Sequence, residues 1–228
     1  MKHRSSRGKI LYLGDAVGER GREWFHRTDH SDGTKVFRTV SEMDDSQILR
    51  DVVWSVDAAY RPLECYERLV VRGALSMGWF KFEKDYCLVE GYYADLGRVS
   101  QRLEYVAPPT YLACHPLVGD CLAVAGYDFA KGGRQILHGI TTSPTVNGST
   151  GPIASRSSHP VDYLGWVTVE TPVGQIGAHH FRLFYGPNHE KSEDIWTGED
   201  FSFVRVRNDE LATTYELVEV ETWEGTGV

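Results

Sequence analysis

Gly177-Ala178-His179-His180-Phe181-Arg182-Leu183-Phe184-Tyr185 reads as a β-strand that carries two histidines and an arginine among apolar residues. Side chains alternate faces along a strand, so His180, Arg182 and Phe184 share one face while His179, Phe181, Leu183 and Tyr185 share the other. A cationic group in mid-strand must look at water or sit in a polar pocket with partners, because burying it unpaired is costly. In a barrel or half-barrel that face lines a cavity, whereas in a sandwich it faces solvent. Alternation also separates the two adjacent histidines, so they cannot share a metal ion unless a bulge intervenes, and a one-residue bulge near Gly177 would exchange them.

Outward from this strand the chain continues in the same style. Strands are expected at Val161 to Glu170, Gln175 to Tyr185, Phe201 to Val206 and Thr213 to Val220, with Thr171-Pro172-Val173-Gly174 and Asn208-Asp209 as turns. Toward the N-terminus, Glu23 to His30 and Thr34 to Ser41 form a hairpin around Ser31-Asp32-Gly33, where Asp-Gly favours a tight primed turn. Gln47 to Asp57 alternates Ile48, Arg50, Val52, Trp54 and Val56 against more polar residues, so its mostly apolar face carries a single arginine. Leu63 to Arg72, Leu75 to Phe82, Tyr86 to Glu90 and Val99 to Val106 extend the meander. Pro108-Pro109 breaks it, because proline donates nothing to a ladder, and Tyr111 to Ala125 reads as a loop and one short helix. Gln135 to Thr142 is a strand, and Ser143 to His159, rich in Ser, Thr, Gly and Pro, is a long loop of the kind that serves as a lid or link.

The fold class that follows is all-β with one short helix, about ten or eleven antiparallel strands in a curved sheet that forms a calycin-like barrel or half-barrel around a cavity. A sandwich is the alternative. Residues 1–21 are expected as an N-terminal arm, 22–220 as a single β-barrel domain and 221–228 as a flexible tail.

Across its 228 residues the chain has 32 acidic against 24 basic residues and a formal charge of −8, which gives no electrostatic reason to expect nucleic acid or an anionic membrane surface as partner. No apolar run approaches a membrane span, and Ile10-Leu11-Tyr12-Leu13 is too short for a signal peptide's hydrophobic region. A cytoplasmic protein with a small hydrophobic or aromatic molecule as partner is the expectation, with a homodimer left open. Cys65, Cys87, Cys114 and Cys121 show no paired spacing and read as small core residues.

Three chemistries lack their signatures. His26 and His30 lie about 13 Å apart if both are on one strand, too far for one ion, and no other ligand spacing occurs, so no metal is expected. The glycines at 14, 18 and 21 lack the lysine of a phosphate loop, and there is no Gly-x-Ser-x-Gly elbow. Acid–base chemistry remains. His180 is the candidate proton-transfer group, with Arg182 and Arg50 as anion anchors and Tyr66, Tyr111 and His115 as oxyanion or leaving-group partners. Asp120 is placed to orient His115. Trp54 and Trp196, with Trp79 and Trp166, would wall a cavity for an aromatic ligand. Each residue has a plainer reading: Arg50 and Arg182 pairing with Asp51 and Glu170 at solvent, His115 capping the helix, and the tryptophans filling a core.

The order of features also resembles a known group. Glu-Met-Asp-Asp leads into Leu49-Arg50-Asp51-Val52-Val53-Trp54-Ser55-Val56-Asp57, then Tyr60-Arg61-Pro62-Leu63-Glu64 and Gly78-Trp79-Phe80. His115-Pro116, Pro172-Val173-Gly174 before Ala178-His179-His180-Phe181, and Ile195-Trp196-Thr197-Gly198-Glu199-Asp200 complete it. This layout resembles poorly characterised bacterial proteins with a calycin-like or lipoprotein-carrier-like curved sheet. The resemblance implies a role in the catabolism of aromatic or steroid compounds, its most specific member activity being a cofactor-independent lyase that releases formaldehyde from lignin-derived dimers. It carries no catalytic residue across. A cofactor-independent lyase or isomerase is therefore the expected function, with a non-catalytic carrier or sensor as the alternative.

Overall fold

Alternating burial runs through nearly every strand of the computed structural model, which describes residues 3–225. The first eight strands form a continuous meander: β1 (His3–Gly14), β2 (Gly18–His30), β3 (Lys35–Met43), β4 (Ile48–Val56), β5 (Pro62–Val71), β6 (Ala74–Phe82), β7 (Tyr86–Tyr93) and β8 (Gly97–Glu104). A short strand β9 (Leu112–Ala113) and helix α1 (Leu117–Ala123) follow. The chain then returns through β10 (Gln135–Thr141), β11 (Ser155–Thr171), β12 (Gly174–Tyr185), β13 (Lys191–Thr197), β14 (Phe203–Asn208) and β15 (Thr213–Gly225).

All fifteen strands belong to one sheet in the order β8-β7-β6-β5-β4-β3-β2-β1-β15-β14-β13-β12-β11-β10-β9. Every ladder is antiparallel except β9 with β10. The two meanders join where β1 pairs with β15, so the sheet's middle is made from the chain's two ends. Its edges, β8 and β9, share no ladder, and the curl is bridged by side chains instead. Gln101 of β8 donates to the Ala154 carbonyl at 2.7 Å and accepts from the Ala154 N–H at 3.0 Å, imitating one rung of a ladder. Arg156 donates to the Glu104 carbonyl beside it.

The concave side packs around α1. Leu117, Val118, Cys121 and Leu122 bury into one cluster with Ile10, Trp54, Phe80, Val206 and Leu217. A helix inside a barrel has no water for its first N–H groups, and the residue before this one, Pro116, supplies no side-chain cap. Glu23 of β2 supplies it from across the interior. Fully buried, its carboxylate accepts from the Leu117 and Val118 N–H groups at 3.0 and 3.4 Å, from the Tyr12 hydroxyl at 3.1 Å and from the Ser41 hydroxyl at 3.0 Å. Gly139 lets Tyr111 into the same interior, since a Cβ there would lie 2.4 Å from the Tyr111 ring.

Several expectations change. The described part of the segment read as an N-terminal arm, residues 3–21, is β1 and the start of β2; β1 holds the two halves together, with Arg4 and Arg7 exposed on it, Ser5 buried against Thr28, and Ile10 and Tyr12 as its inward core residues. Residues 221–225 of the expected tail extend β15 against β1, and 226–228 lie outside the described residues. β13 was not expected at all, because its charged run hides the alternation. The first hairpin turns with positive φ at Gly33 alone, a three-residue loop rather than a two-residue primed turn. The four cysteines are free and buried.

Glu23→Ala should leave two helix N–H groups and two hydroxyls without an acceptor and cost about 3 kcal/mol or more in urea denaturation. Ser41→Ala, which removes one contact, should cost about 1 kcal/mol. Equal losses would mean that Glu23 does not hold the helix.

Candidate functional site

At one end of the barrel the turns after β12 and β14, the loop after β10 and the helix surround a cavity of about 600 Å³. Its walls mix Ala113, Leu183, Pro187 and Leu211 with polar groups, and its floor carries His115, Asp120 and Glu193. A recess of about 40 Å³ continues below, toward Arg50, Tyr12 and Tyr215, and shares His115, Asp120 and Glu193 with the cavity above.

Alternation in β13 aims Glu193, Ile195 and Thr197 inward and Asp194 and Trp196 outward, which places a carboxyl group over the core. Glu193 accepts one hydrogen bond, from Asn208 Nδ2 at 3.2 Å. Burial pushes its pKa up to about 7; the Asn208 hydrogen bond opposes this, and the neighbouring Asp194 charge adds to it. Asp120, on α1, makes no hydrogen bond among the described residues. Burial holds its pKa well above the usual carboxylate range, the Glu193 and Glu23 charges raise it further, and Arg50 counters. Both acids line the same cavity floor, and burial favours the protonated form of each, with the Glu193 charge adding to the effect on Asp120.

His115 sits where β9 turns into α1, with φ of 70°. Its Nε2–H donates to the Ser143 carbonyl at 3.1 Å, an acceptor that fixes the tautomer and leaves Nδ1 as a free acceptor. Burial, then the Arg50 charge, lowers its pKa to about 3, so the ring is neutral. His159 is similarly neutral, lowered by burial, with Nδ1 bonded to the Phe184 carbonyl at 3.0 Å. At the rim Lys191 pairs with Glu210 at 2.5 Å, and the Tyr185 hydroxyl donates to the other Glu210 oxygen at 3.1 Å.

Arg50 organises the floor without entering the cavity. One percent exposed, it donates to the carbonyls of His115 at 3.3 Å, Asn147 at 3.1 Å and Gly148 at 2.9 Å, and its Nε lies 3.7 Å from buried Glu67. It ties the 143–150 loop to the helix entrance. Gly148, with φ of 65°, permits the approach, because a Cβ there would lie 2.2 Å from Arg50 Nη2 and 2.7 Å from the His115 ring.

Of the residues expected from sequence, His115 lines the cavity and Arg50 lies beneath it. The others lie elsewhere. His180 and Arg182 project from the outer face, where both bind Asp194, at 3.2 and 2.9 Å, and Trp196 stacks on His180 at 4.4 Å between ring centres. The cationic face of β12 is therefore satisfied across the strand pair on the outside, and the apolar face with Phe181, Leu183 and Tyr185 points inward. The neighbouring strand is the one that bulges, between Tyr163 and Gly165. Tyr66 is 41 % exposed on the outer face, in a shallow apolar groove with Trp24 and Trp223. Trp54 is core, stacked on Phe37 at 4.8 Å. Tyr111 is buried behind the cavity wall, bonded to Ser157 at 2.9 Å. Arg50 pairs with Glu67 rather than Asp51, and Arg182 with Asp194 rather than Glu170. Asp120 faces Glu193 and does not bond His115. Glu193 and Tyr185 were missed; once β13 is recognised as a strand, the register of β12 and β13 identifies both as inward.

Among the described residues, no group of three or more histidine, cysteine or acidic side chains is placed to hold a metal ion, and no helix is long and apolar enough to cross a membrane. No family model matches the chain, and no curated protein matches it. Among solved structures it is similar to a β-barrel-like protein of a domain of unknown function, DUF1849, from Brucella abortus, at 13% identity and TM-score 0.54, covering 97% of this chain and 98% of that one. It is also similar to a DUF1089 family protein from Pseudomonas aeruginosa, at 8% identity and TM-score 0.51, covering 80% and 87% of the two chains. These likenesses establish the barrel-like fold.

The acid pair has a measurable signature. A carboxyl group whose pKa is higher folded than unfolded stabilises the protein fully below its unfolded value, and that stability is lost as pH rises through the folded value. For Glu193 the window runs from 4.5 to about 7 and is worth on the order of 3 kcal/mol. Denaturation measured across that window should show stability falling in the native protein and a markedly flatter profile in Glu193→Gln. Identical profiles would remove the acid pair.

Proposed function

We propose that the protein is an acid–base enzyme of the lyase or isomerase class, acting without a cofactor on a small, largely hydrophobic molecule held in the end cavity. The observation that supports this reading is the pair Asp120 and Glu193, brought from helix and strand to one cavity floor with no counter-charge in contact. A carboxyl group that titrates near neutrality both gives and takes a proton efficiently, which is what general acid–base catalysis asks of it. Glu193 is the proposed proton-transfer group, Asp120 the partner that sets its proton affinity, and His115, through its open Nδ1, a neutral acceptor for a donor on the bound molecule. The apolar wall of Leu183, Pro187 and Leu211 supplies binding area.

A carrier or sensor is the second reading. It is favoured by the floor's construction, in which Arg50 and one nitrogen of each histidine are already spent on backbone carbonyls and so are unavailable to a reaction.

Incubating the protein with mixtures of small ketones, alcohols, amines and aromatic compounds in D2O, followed by NMR, separates the two. The enzyme reading expects deuterium incorporation or new product signals, reduced at least about a hundredfold in Glu193→Gln while binding persists. Binding without any exchange or turnover supports the carrier, and turnover unchanged in Glu193→Gln overturns the assignment of that residue.

A further inference from the structure

We propose that the cavity selects a small amphipathic amine, its ammonium group seated at the recess between Asp120 and Glu193 and its hydrocarbon part against Leu183, Pro187 and Leu211. This deepens the reading above and rests on the same cavity. The argument is an inventory of unspent groups. Most donors around the site are committed: Arg50 to three carbonyls, Lys191 to Glu210, His115 Nε2–H to Ser143 and His159 Nδ1–H to Phe184, while Asn147 Nδ2 and the Tyr215 hydroxyl at the recess stay open. The hydroxyls of Ser143, Thr145 and Thr150 are bonded to one another. Against the two neutral donors at the recess, the larger share of what remains open is acceptor capacity, and it carries the negative charge: the Asp120 carboxyl, the Glu193 oxygen not held by Asn208, and His115 Nδ1. A ligand that completes this floor brings N–H donors and positive charge. A carboxylate or phosphate would meet acceptors and like charge, which is costly in a partly desolvated site.

The recess below fits the same ligand. It is far smaller than the cavity above, about 40 against 600 Å³, and so admits a head group but no ring. The apolar residues lie in the larger space, and the acids sit where the two meet. A neutral hydroxyl compound would satisfy one acceptor, but it would leave the two carboxyl groups without the charge that allows both to ionise.

Amine binding should therefore expel a proton. The groups facing the pair from each packed element are Glu23 on β2, Arg50 on β4, Asp194 beside Glu193, Tyr185 on β12, Tyr215 on β15 and Cys121 on α1, with Lys191 of β13 and Glu210 at the rim of the same cavity. Arg50 and Lys191 are the cations among them; the first is bonded to carbonyls and the second paired with Glu210. A protonated amine adds the missing charge and favours the doubly ionised pair, so affinity should rise from pH 5.5 to pH 8, where simple amines remain protonated.

The test is a panel of methylamine, butylamine, benzylamine and phenethylamine, each against its alcohol and carboxylate counterpart, read by thermal shift and titration calorimetry on the full chain at pH 8. At least one amine should bind tenfold or more tightly than both counterparts, with proton release seen as a dependence of the heat on buffer ionisation. Asp120→Asn with Glu193→Gln, both near-isosteric, should abolish that preference while the ligand-free melting transition stays cooperative. If that double variant melts without cooperativity, Glu193→Gln alone should still reduce the preference at least fivefold. If no amine outbinds its counterparts, or if a variant keeps the preference, the inference is overturned. If instead an alcohol or carboxylate binds and Leu211→Trp removes it, the cavity remains a ligand site and only the choice of an amine fails.

Discussion

A barrel interior offers little water, so a polar group carried into it costs free energy unless another part of the chain meets it. That constraint governs this protein. The helix α1 lies inside the sheet, and its first N–H groups are met by Glu23. Glu23 belongs to β2, which is paired directly with β1, the strand that joins the sheet's two halves. The same carboxylate holds Tyr12 of β1 and Ser41 of β3, so one buried acid fixes three strands and a helix together. Arg50 repeats the solution with opposite charge. Its guanidinium meets carbonyls at the helix entrance and in the 143–150 loop, which would otherwise face apolar side chains.

These two residues place the candidate site. With α1 fixed from below by Glu23 and at its entrance by Arg50, Asp120 is held at the open end of the barrel. His115 takes a left-handed backbone conformation that costs energy in a non-glycine residue, and it is compensated by the Arg50 contact to its carbonyl and the Ser143 contact to its ring. Glu193 arrives from the opposite wall by simple alternation in β13. The interior is thus well satisfied around Glu23, held by charge alone between Arg50 Nε and Glu67, whose oxygens accept no hydrogen bond, and left short of donors at Asp120 and Glu193 beside the cavity. Burial with satisfaction is support; burial without it marks a place where a ligand completes the structure.

Much of the fold was legible because strands with one buried face announce themselves by period. β4 shows this plainly: Ile48, Arg50, Val52, Trp54 and Val56 were expected on one face and are all inward. The regions that misled are those where both faces are polar. β1 alternates Ser, Arg, Gly and Lys with few apolar residues, since its outer face is solvated and only Ile10 and Tyr12 reach the core. β13 presents Glu193 inward and Asp194 outward, and two adjacent acids carry no period. That omission also reversed β12. Without β13, Arg182 and His180 had no visible partner and seemed to require a cavity; with it, Asp194 lies directly across from Arg182 and satisfies both outside. The apolar face then goes in, and it brings Tyr185 to the site with it.

The energetic position of Asp120 and Glu193 separates them from the other buried charges. Glu23 receives hydrogen bonds from hydroxyl and N–H donors, and Glu67, though its oxygens accept none, has the opposite charge of Arg50 3.7 Å away. Asp120 and Glu193 repel each other and have one hydrogen bond between them, that from Asn208. Two apolar residues of similar size at these positions would pack as well and cost less at neutral pH, because nothing in the fold hangs on either carboxyl group as α1 hangs on Glu23. A pair that weakens the folded state as pH approaches 7, placed at the one point where a 600 Å³ cavity narrows into the core, is accounted for by what it does to a bound molecule rather than by what it does for the barrel.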